Sequence, residues 1–262
     1  MKITDPTGHV VELGSEPRRI VSLVPSQTEL LADLGLGDRV IGITKFCVHP
    51  AAWYREKSRI GGTKTADLNK IKALRPDLVI ANKEENVRDQ IEAIRGMSAV
   101  FTTDVNNYAQ ALDMIRDLGI ITGTSDKASV IISRVREQME AMTGFSERRT
   151  CAYLIWNDPM MVAGHDNFIS DMLRLAGFDN VFALSVKSRY PEIQITDLAE
   201  RSPEVIFLSS EPYPFRDKHL TYFKQHCPGS QVVFADGEMF SWYGSRLMHF
   251  DVRSLRLQLG MD

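Results

Sequence analysis

Arg75-Pro76-Asp77-Leu78-Val79-Ile80 and, 127 residues later, Ser202-Pro203-Glu204-Val205-Ile206-Phe207 are two copies of one phrase. Leu68, Ile71 and Leu74 lead into the first at helical spacing, and Ile195 and Leu198 lead into the second. An apolar helix face that runs into a proline, an acid and a short apolar run reads as helix, turn and buried strand. Glu84 and Glu211 stand at matching places just after the two strands.

The repeat extends outward from this step. Arg19-Ile20-Val21-Ser22-Leu23-Val24 pairs with Thr150-Cys151-Ala152-Tyr153-Leu154-Ile155, each a β-rich run followed by a polar turn and an apolar helix. Those helices end alike, at Leu34-Gly35-Leu36-Gly37 and Leu175-Ala176-Gly177-Phe178, with glycine where a helix takes a left-handed cap. Ala99-Val100-Phe101-Thr102-Thr103-Asp104 and Val232-Val233-Phe234-Ala235-Asp236 close the two halves. The reading is an α/β protein of two similar lobes with mostly parallel sheets, and a period this long indicates duplication, not a solenoid. Between the lobes, Ser125-Asp126 starts a helix in which Ala128, Ile131, Ile132, Val135, Met139 and Met142 recur at three- and four-residue steps until Gly144. A helix of about 18 residues spans roughly 27 Å and resists bending, so a rigid backbone helix and little domain closure are expected. The expected division is 1–123 for the N-terminal lobe, 124–146 for the backbone helix and 147–262 for the C-terminal lobe.

Composition excludes several classes. The 262 residues are 44% hydrophobic with a net charge of −3, which gives no electrostatic reason to expect nucleic acid. No run of about 18 apolar residues suits a membrane span, and the start, Met1-Lys2-Ile3-Thr4-Asp5-Pro6, lacks the basic-then-apolar pattern of a secretory signal. No direct membrane insertion is expected. Cys47, Cys151 and Cys227 are too few for a disulfide framework. No glycine-rich dinucleotide loop, nucleophile elbow or phosphate-binding loop is found, so the chain is not expected to be an enzyme. His9, His165, His219 and His249 are isolated, and a metal site needs about three or four protein ligands, so neither a protein-bound metal nor a cofactor is expected.

Ligands of open parallel sheets bind where the strand C-termini open, which singles out the segment after the first strand of each lobe. In the first lobe this is Pro25-Ser26-Gln27-Thr28-Glu29, where Ser26 can cap the next helix and Glu29 can complete a capping box. The same helix start favours a polar or anionic ligand group. In the second lobe, Trp156-Asn157-Asp158-Pro159 offers a ring on which a flat ligand stacks. Thr44-Lys45-Phe46-Cys47-Val48-His49-Pro50 follows the next strand of the first lobe, and Gly61-Gly62-Thr63-Lys64 allows a tight backbone approach or is simply a turn. Ser241-Trp242-Tyr243-Gly244-Ser245-Arg246 joins two aromatics to a guanidinium, a set suited to packing on a macrocycle and pairing with its polar edge. The alternative for Arg246 is an ordinary ion pair. Lys187, Arg189 and Tyr190 lie on a loop that faces the same way in this reading.

Arg19–Ser26 with Thr28-Glu29, the phrase Leu74–Ile80, and Gly164-x-x-Asn167-Phe168-Ile169 leading to Leu175-Ala176-Gly177-x-x-Asn180-Val181 together resemble the ABC-importer substrate-binding proteins of the cobalamin and ferric-siderophore group. The resemblance covers nearly the whole chain. It implies two α/β lobes on one backbone helix, a ligand in a shallow cleft between them, no chemistry, a periplasmic or cell-surface location and a monomer. It also implies docking on a two-fold symmetric ABC permease through Glu84, Glu85 and Glu211, and a ligand contact from Phe46; Arg246 matches a cleft arginine of relatives. The ligand-binding set is therefore Pro25, Ser26, Phe46, Cys47, His49, Gly62, Thr63, Lys64, Trp156, Trp242, Tyr243 and Arg246. The chain departs from the pattern in having Asn82 where the cobalamin binder has an aromatic, and in lacking the cysteine pair of the second lobe. An aromatic-rich cleft with few charges suits a large neutral macrocycle, so cobalamin is the expected cargo, with a ferric siderophore or haem as the alternative. A signal-less cytoplasmic corrinoid-binding protein or an enzyme is the competing class.

Overall fold

Short strands alternate with helices along the whole chain. In the computed structural model, which describes residues 1–142, 144–184 and 187–261, the chain begins with β1 (Lys2–Thr4) and β2 (Val10–Glu12), paired antiparallel. It continues through β3 (Ile20–Ser22), α1 (Pro25–Asp33), β4 (Val40–Ile43), α2 (Ala51–Glu56), β5 (Ser58–Arg59), α3 (Leu68–Leu74), β6 (Leu78–Asn82), α4 (Arg88–Arg95) and β7 (Ala99–Thr103). Next come α5 (Tyr108–Ile121) and α6 (Ser125–Ala141). The rest comprises β8 (Arg149–Asn157), β9 (Met160–Val162), α7 (Phe168–Leu175), β10 (Phe178–Asn180), α8 (Ile195–Arg201), β11 (Val205–Ser209), α9 (Asp217–His226), β12 (Gln231–Ala235), α10 (Gly237–Ser241), a 3-10 turn (Ser245–His249) and α11 (Arg253–Gln258).

Two units result. The first comprises Met1–Val105, Ala109–Val135 and Tyr243–Arg246; the second comprises Asn106–Tyr108, Arg136–Trp242 and the chain from Leu247 on. The first holds a parallel sheet in the order β5-β4-β3-β6-β7. The second holds β10-β8-β11-β12, also parallel, with β9 added antiparallel to β8. Strands β4-β3-β6-β7 and β10-β8-β11-β12 therefore share one topology, as the repeated phrases predict. β6 and β11 are buried at every residue, which explains why both read as unbroken apolar runs with no alternation. Val21, Ile71, Val79 and Val100 centre one core, and Leu154, Leu198, Ile206 and Phe223 the other.

The repeated phrase has a mechanical reason. α3 and α8 both end on a residue in the left-handed region, Arg75 at φ 44° and Ser202 at φ 45°, and the proline that follows bars the helix from continuing. The acid after the proline then fastens the first strand of its unit. Asp77 Oδ2 accepts the backbone N–H groups of Arg18 and Arg19 at 2.8 and 2.9 Å, and Glu204 Oε2 accepts that of Thr150 at 2.8 Å. Arg19 and Thr150 are the paired starts of the repeat, so each acid ties the start of β6 or β11 to the start of β3 or β8.

Two expectations need revision. The segment Tyr243–Arg246, read as part of a C-terminal lobe of 147–262, packs with the first unit, and the chain changes unit within α6, at Val135/Arg136. Gly244 lies against Leu30, Met114 and the Ser26 carbonyl, which explains how so short a segment joins a unit distant in sequence. The capping box at Ser26 does not form, because α1 starts one residue earlier, on Pro25, with Val24 as its N-cap and no side-chain cap. Proline suits a first helical position that needs no N–H partner, and this leaves Ser26 inside the helix and buried.

Candidate functional site

The carboxyl ends of β3 and β4 open beside the first half of α1. Ser26, Gln27 and Thr28 are buried there. Thr28 Oγ1 lies 2.8 Å from the Val24 carbonyl and 3.1 Å from Cys47 Sγ, and Thr44 Oγ1 lies 3.1 Å from the same sulfur. The loop after β4 is thus pinned to α1 through Cys47. This corrects the expectation that Cys47 contacts ligand: it is fully buried, and burial pushes its thiol above the ordinary range, so it stays a neutral core group. With Cys47 turned inward, the adjacent Phe46 ring is left 50% exposed, and the Lys45 ammonium stands 5.0 Å from its centroid.

The glycine pair beside this loop forms a local turn. Gly61 has φ 103° and bridges Ala66, and a Cβ there would lie 2.4 Å from the Thr65 carbonyl oxygen. A Cβ on Gly62 would lie 3.3 Å from the Phe46 ring, so glycine lets the turn sit against that ring. The Thr63 carbonyl accepts from Asn86 Nδ2. Lys64, expected at the ligand, instead donates to the Glu84 carbonyl and belongs to the acidic turn.

Arg246 reaches the same rim and meets Glu29. Its Nε donates to Glu29 Oε2 at 2.9 Å and its Nη2 stands 2.8 Å from Oε1, a two-point pair whose side chains are only 21% and 18% exposed. Burial holds the Glu29 carboxyl above the ordinary carboxylate range, with Arg246 opposing the shift, and His49 is close enough to oppose it further. The folded protein thus keeps a proton on Glu29 at pH values where the unfolded chain has lost it. Stability from this group is present below the unfolded value and declines as pH rises through the folded one. Glu29→Gln should flatten that decline, as seen in thermal unfolding midpoints of the two proteins across mildly acidic pH. Tyr243, read as a ligand-stacking ring, is 7% exposed.

The acidic turn after β6 is built on Asn82. Its Oδ1 accepts the backbone N–H groups of Glu84 and Glu85 at 2.8 and 3.0 Å, while its Nδ2 donates to the Thr103 carbonyl and hydroxyl. Asparagine in place of an aromatic residue therefore serves the turn, at 2% exposure. Glu85 is exposed and Glu84 half-buried.

In the second unit the matching acid, Glu211, is held differently. Its Oε1 accepts from Trp242 Nε1 at 2.7 Å and from Ser241 Oγ at 2.9 Å. Gly237 permits this, since a Cβ there would lie 2.4 Å from Glu211 Cγ. Trp242, expected to stack on ligand, is accordingly 6% exposed with its N–H given to Glu211. Trp156 keeps an open face at 38% exposure, donates Nε1 to the Asp158 carbonyl, and packs edge-on against Tyr213 at 5.5 Å. Tyr213 was not singled out from sequence, although the run Glu211-Pro212-Tyr213-Pro214-Phe215 directly follows β11. The Arg189 carbonyl accepts from Gly164 and Asn167, which gives that loop a structural task.

A cavity of about 320 Å3 in the first unit is lined instead by residues including Thr7, Asn82, Lys83, Arg88 and Arg95. Arg95 there is committed to Glu92 at 2.6 Å and to Asp5 at 3.5 Å. Elsewhere in this unit the Phe46 ring is open, and Arg246 and His49 both lie near Glu29.

Residues 20–229 match the family described as periplasmic binding protein. The chain belongs to this family. A vitamin B12-binding protein of Vibrio parahaemolyticus is 26% identical over 202 residues, which cover 75% of this chain and 73% of that one. Among solved structures, the periplasmic vitamin B12 binding protein BtuF of Vibrio cholerae superposes with a TM-score of 0.77 at 21% identity, covering 93% of this chain and 97% of that one. The periplasmic heme-binding protein RhuT from Roseiflexus, in apo form, gives 0.78 at 20% identity over the same shares. Solved structures of this fold thus include proteins named for vitamin B12 and for heme, and the fold alone does not choose between them. Among the described residues no helix is long and apolar enough to cross a membrane.

Proposed function

We propose that the chain is the substrate-binding component of an ABC importer, working in the periplasm or at the cell surface, and that it captures a corrinoid of the cobalamin class without transforming it. The observation that carries the choice of ligand is the exposed Phe46 ring on a rim whose guanidinium, Arg246, is already matched by Glu29. A large neutral macrocycle gains from an open aromatic face and needs few ionic partners.

Calorimetric titration with cyanocobalamin, haemin, and ferric hydroxamate and catecholate chelates tests it. One cyanocobalamin per chain with micromolar or tighter affinity is expected, and Phe46→Ala should weaken it about tenfold, the loss of one well-placed ring contact. Binding of none of these chelates would overturn the importer reading. Haem is the second reading, favoured by His49, which stands near Glu29 and is of a residue type that ligates haem iron. A haemin Soret band that shifts on mixing and reverts in His49→Ala would select it.

A further inference from the structure

We infer that Glu29 is a specificity-determining residue: by holding Arg246 in a two-point pair, it sets the rim to take chelates with a neutral edge and to discriminate against those with carboxylate or catecholate edges. The inference rests on the cobalamin reading of this site.

Arg246 is the cation that the sequence offers to an anionic ligand edge, and a guanidinium is well suited to grip a carboxylate in fork geometry. In the folded chain the Nε edge of that guanidinium already faces a carboxylate, through one hydrogen bond and one ion-pair contact. Nε stands 2.9 Å from one Glu29 oxygen and Nη2 2.8 Å from the other, and the two groups come from positions 217 apart in sequence. Glu29 lies in the second turn of α1, whose preceding residues Ser26, Gln27 and Thr28 are all buried, so its backbone is fixed. Arg246 is fixed too, because its segment packs through Gly244 on Leu30 and Ser26 of that helix. The pair is thus preorganised on both sides. A ligand carboxylate that takes the Nε edge of Arg246 must displace a carboxylate already in place, and one that approaches the outer edge brings a second like charge beside Glu29. An amide edge faces neither cost, since it hydrogen-bonds to the outer edges of a neutral pair.

The other charged groups around the rim do not replace Arg246. Lys45 is exposed, with its ammonium over the Phe46 ring, and acts as a hydrated point charge without fork geometry. Lys64 is directed to the Glu84 carbonyl. His49 faces Glu29.

The test is the ratio of haemin to cyanocobalamin affinity, measured by tryptophan fluorescence quenching at neutral pH. Haemin carries two propionates, whereas cyanocobalamin is neutral overall. Glu29→Gln keeps the side-chain shape and releases the guanidinium, so the ratio should rise about tenfold, the scale of one charge-assisted contact. Arg246→Lys, which lacks the fork and so loosens the pair from the other side, should raise the ratio in the same direction by less. The double variant Glu29→Gln with Arg246→Gln should return the ratio to the wild-type value. An unchanged or lowered ratio in both single variants, with cyanocobalamin still bound by the wild type, overturns the inference and leaves the functional reading standing. A wild type that binds neither ligand overturns both.

Discussion

Replacing Asp5 with alanine is expected to lower the unfolding free energy by about 3 kcal/mol. Asp5 is 3% exposed, and its carboxylate organises the first hairpin. Oδ1 accepts from the backbone of Thr7 and His9, both at 2.9 Å, and from the Thr7 hydroxyl at 2.7 Å. Oδ2 accepts from the backbone of Thr102 at 3.0 Å, with the Arg95 guanidinium at 3.5 Å. Truncation leaves three backbone donors without their acceptor and strips Arg95 of an anionic neighbour. Each part alone costs on the order of 1 kcal/mol or more, and the losses fall together because one group serves all of them. Urea denaturation checks this. A change below about 1 kcal/mol would mean that the hairpin is not held by Asp5.

The second large effect concerns the permease. With Glu84, Glu85 and Glu211 all changed to glutamine, stimulation of the cognate transporter's ATPase by the loaded protein should fall about tenfold or more, while cyanocobalamin affinity stays within a factor of two. A two-fold symmetric partner is met by a pseudo-symmetric protein only if both halves offer the same charge, and these acids follow β6 and β11 at equivalent positions. Glutamine is the informative replacement. Glu211 accepts from Trp242 and Ser241, so lysine there would break the turn as well as remove the charge, whereas glutamine retains an acceptor. Full stimulation by the triple variant would contradict the docking role.

The fold was legible in the sequence because its signals are local. A proline after a helical apolar set, an acid and a buried run mark a helix-strand step wherever they occur, and finding the step twice gave the topology of both units. Even so, the reason for the acid was hidden, since Asp77 and Glu204 act on backbone at Arg18, Arg19 and Thr150, more than fifty positions away. The candidate site was less legible for the same physical reason. Cys47 and Trp242 are residue types that suggest chemistry, yet Thr28 and Thr44 hold one inside the core and Glu211 holds the other against the acidic turn. Ser26 and Glu29 fit a capping box by spacing, but Pro25 took the first helical position and Glu29 turned to an arginine near the far end of the chain. Spacing reports which residues share a face, and partners brought by tertiary packing decide whether a side chain remains available. Phe46 keeps its exposed ring because its neighbour Cys47 is the residue drawn inward.

Under the proposed function, cobalamin sits at the carboxyl ends of the parallel strands of the first unit, on the Phe46 loop and the Tyr243–Arg246 segment. Hydrogen–deuterium exchange with and without saturating cyanocobalamin tests it most directly. Slowed exchange is expected in peptides covering 45–49 and 243–247, with little change along α4 and α9. Protection confined to the cavity at Arg88 and Arg95, or absent from the Phe46 loop, would contradict it.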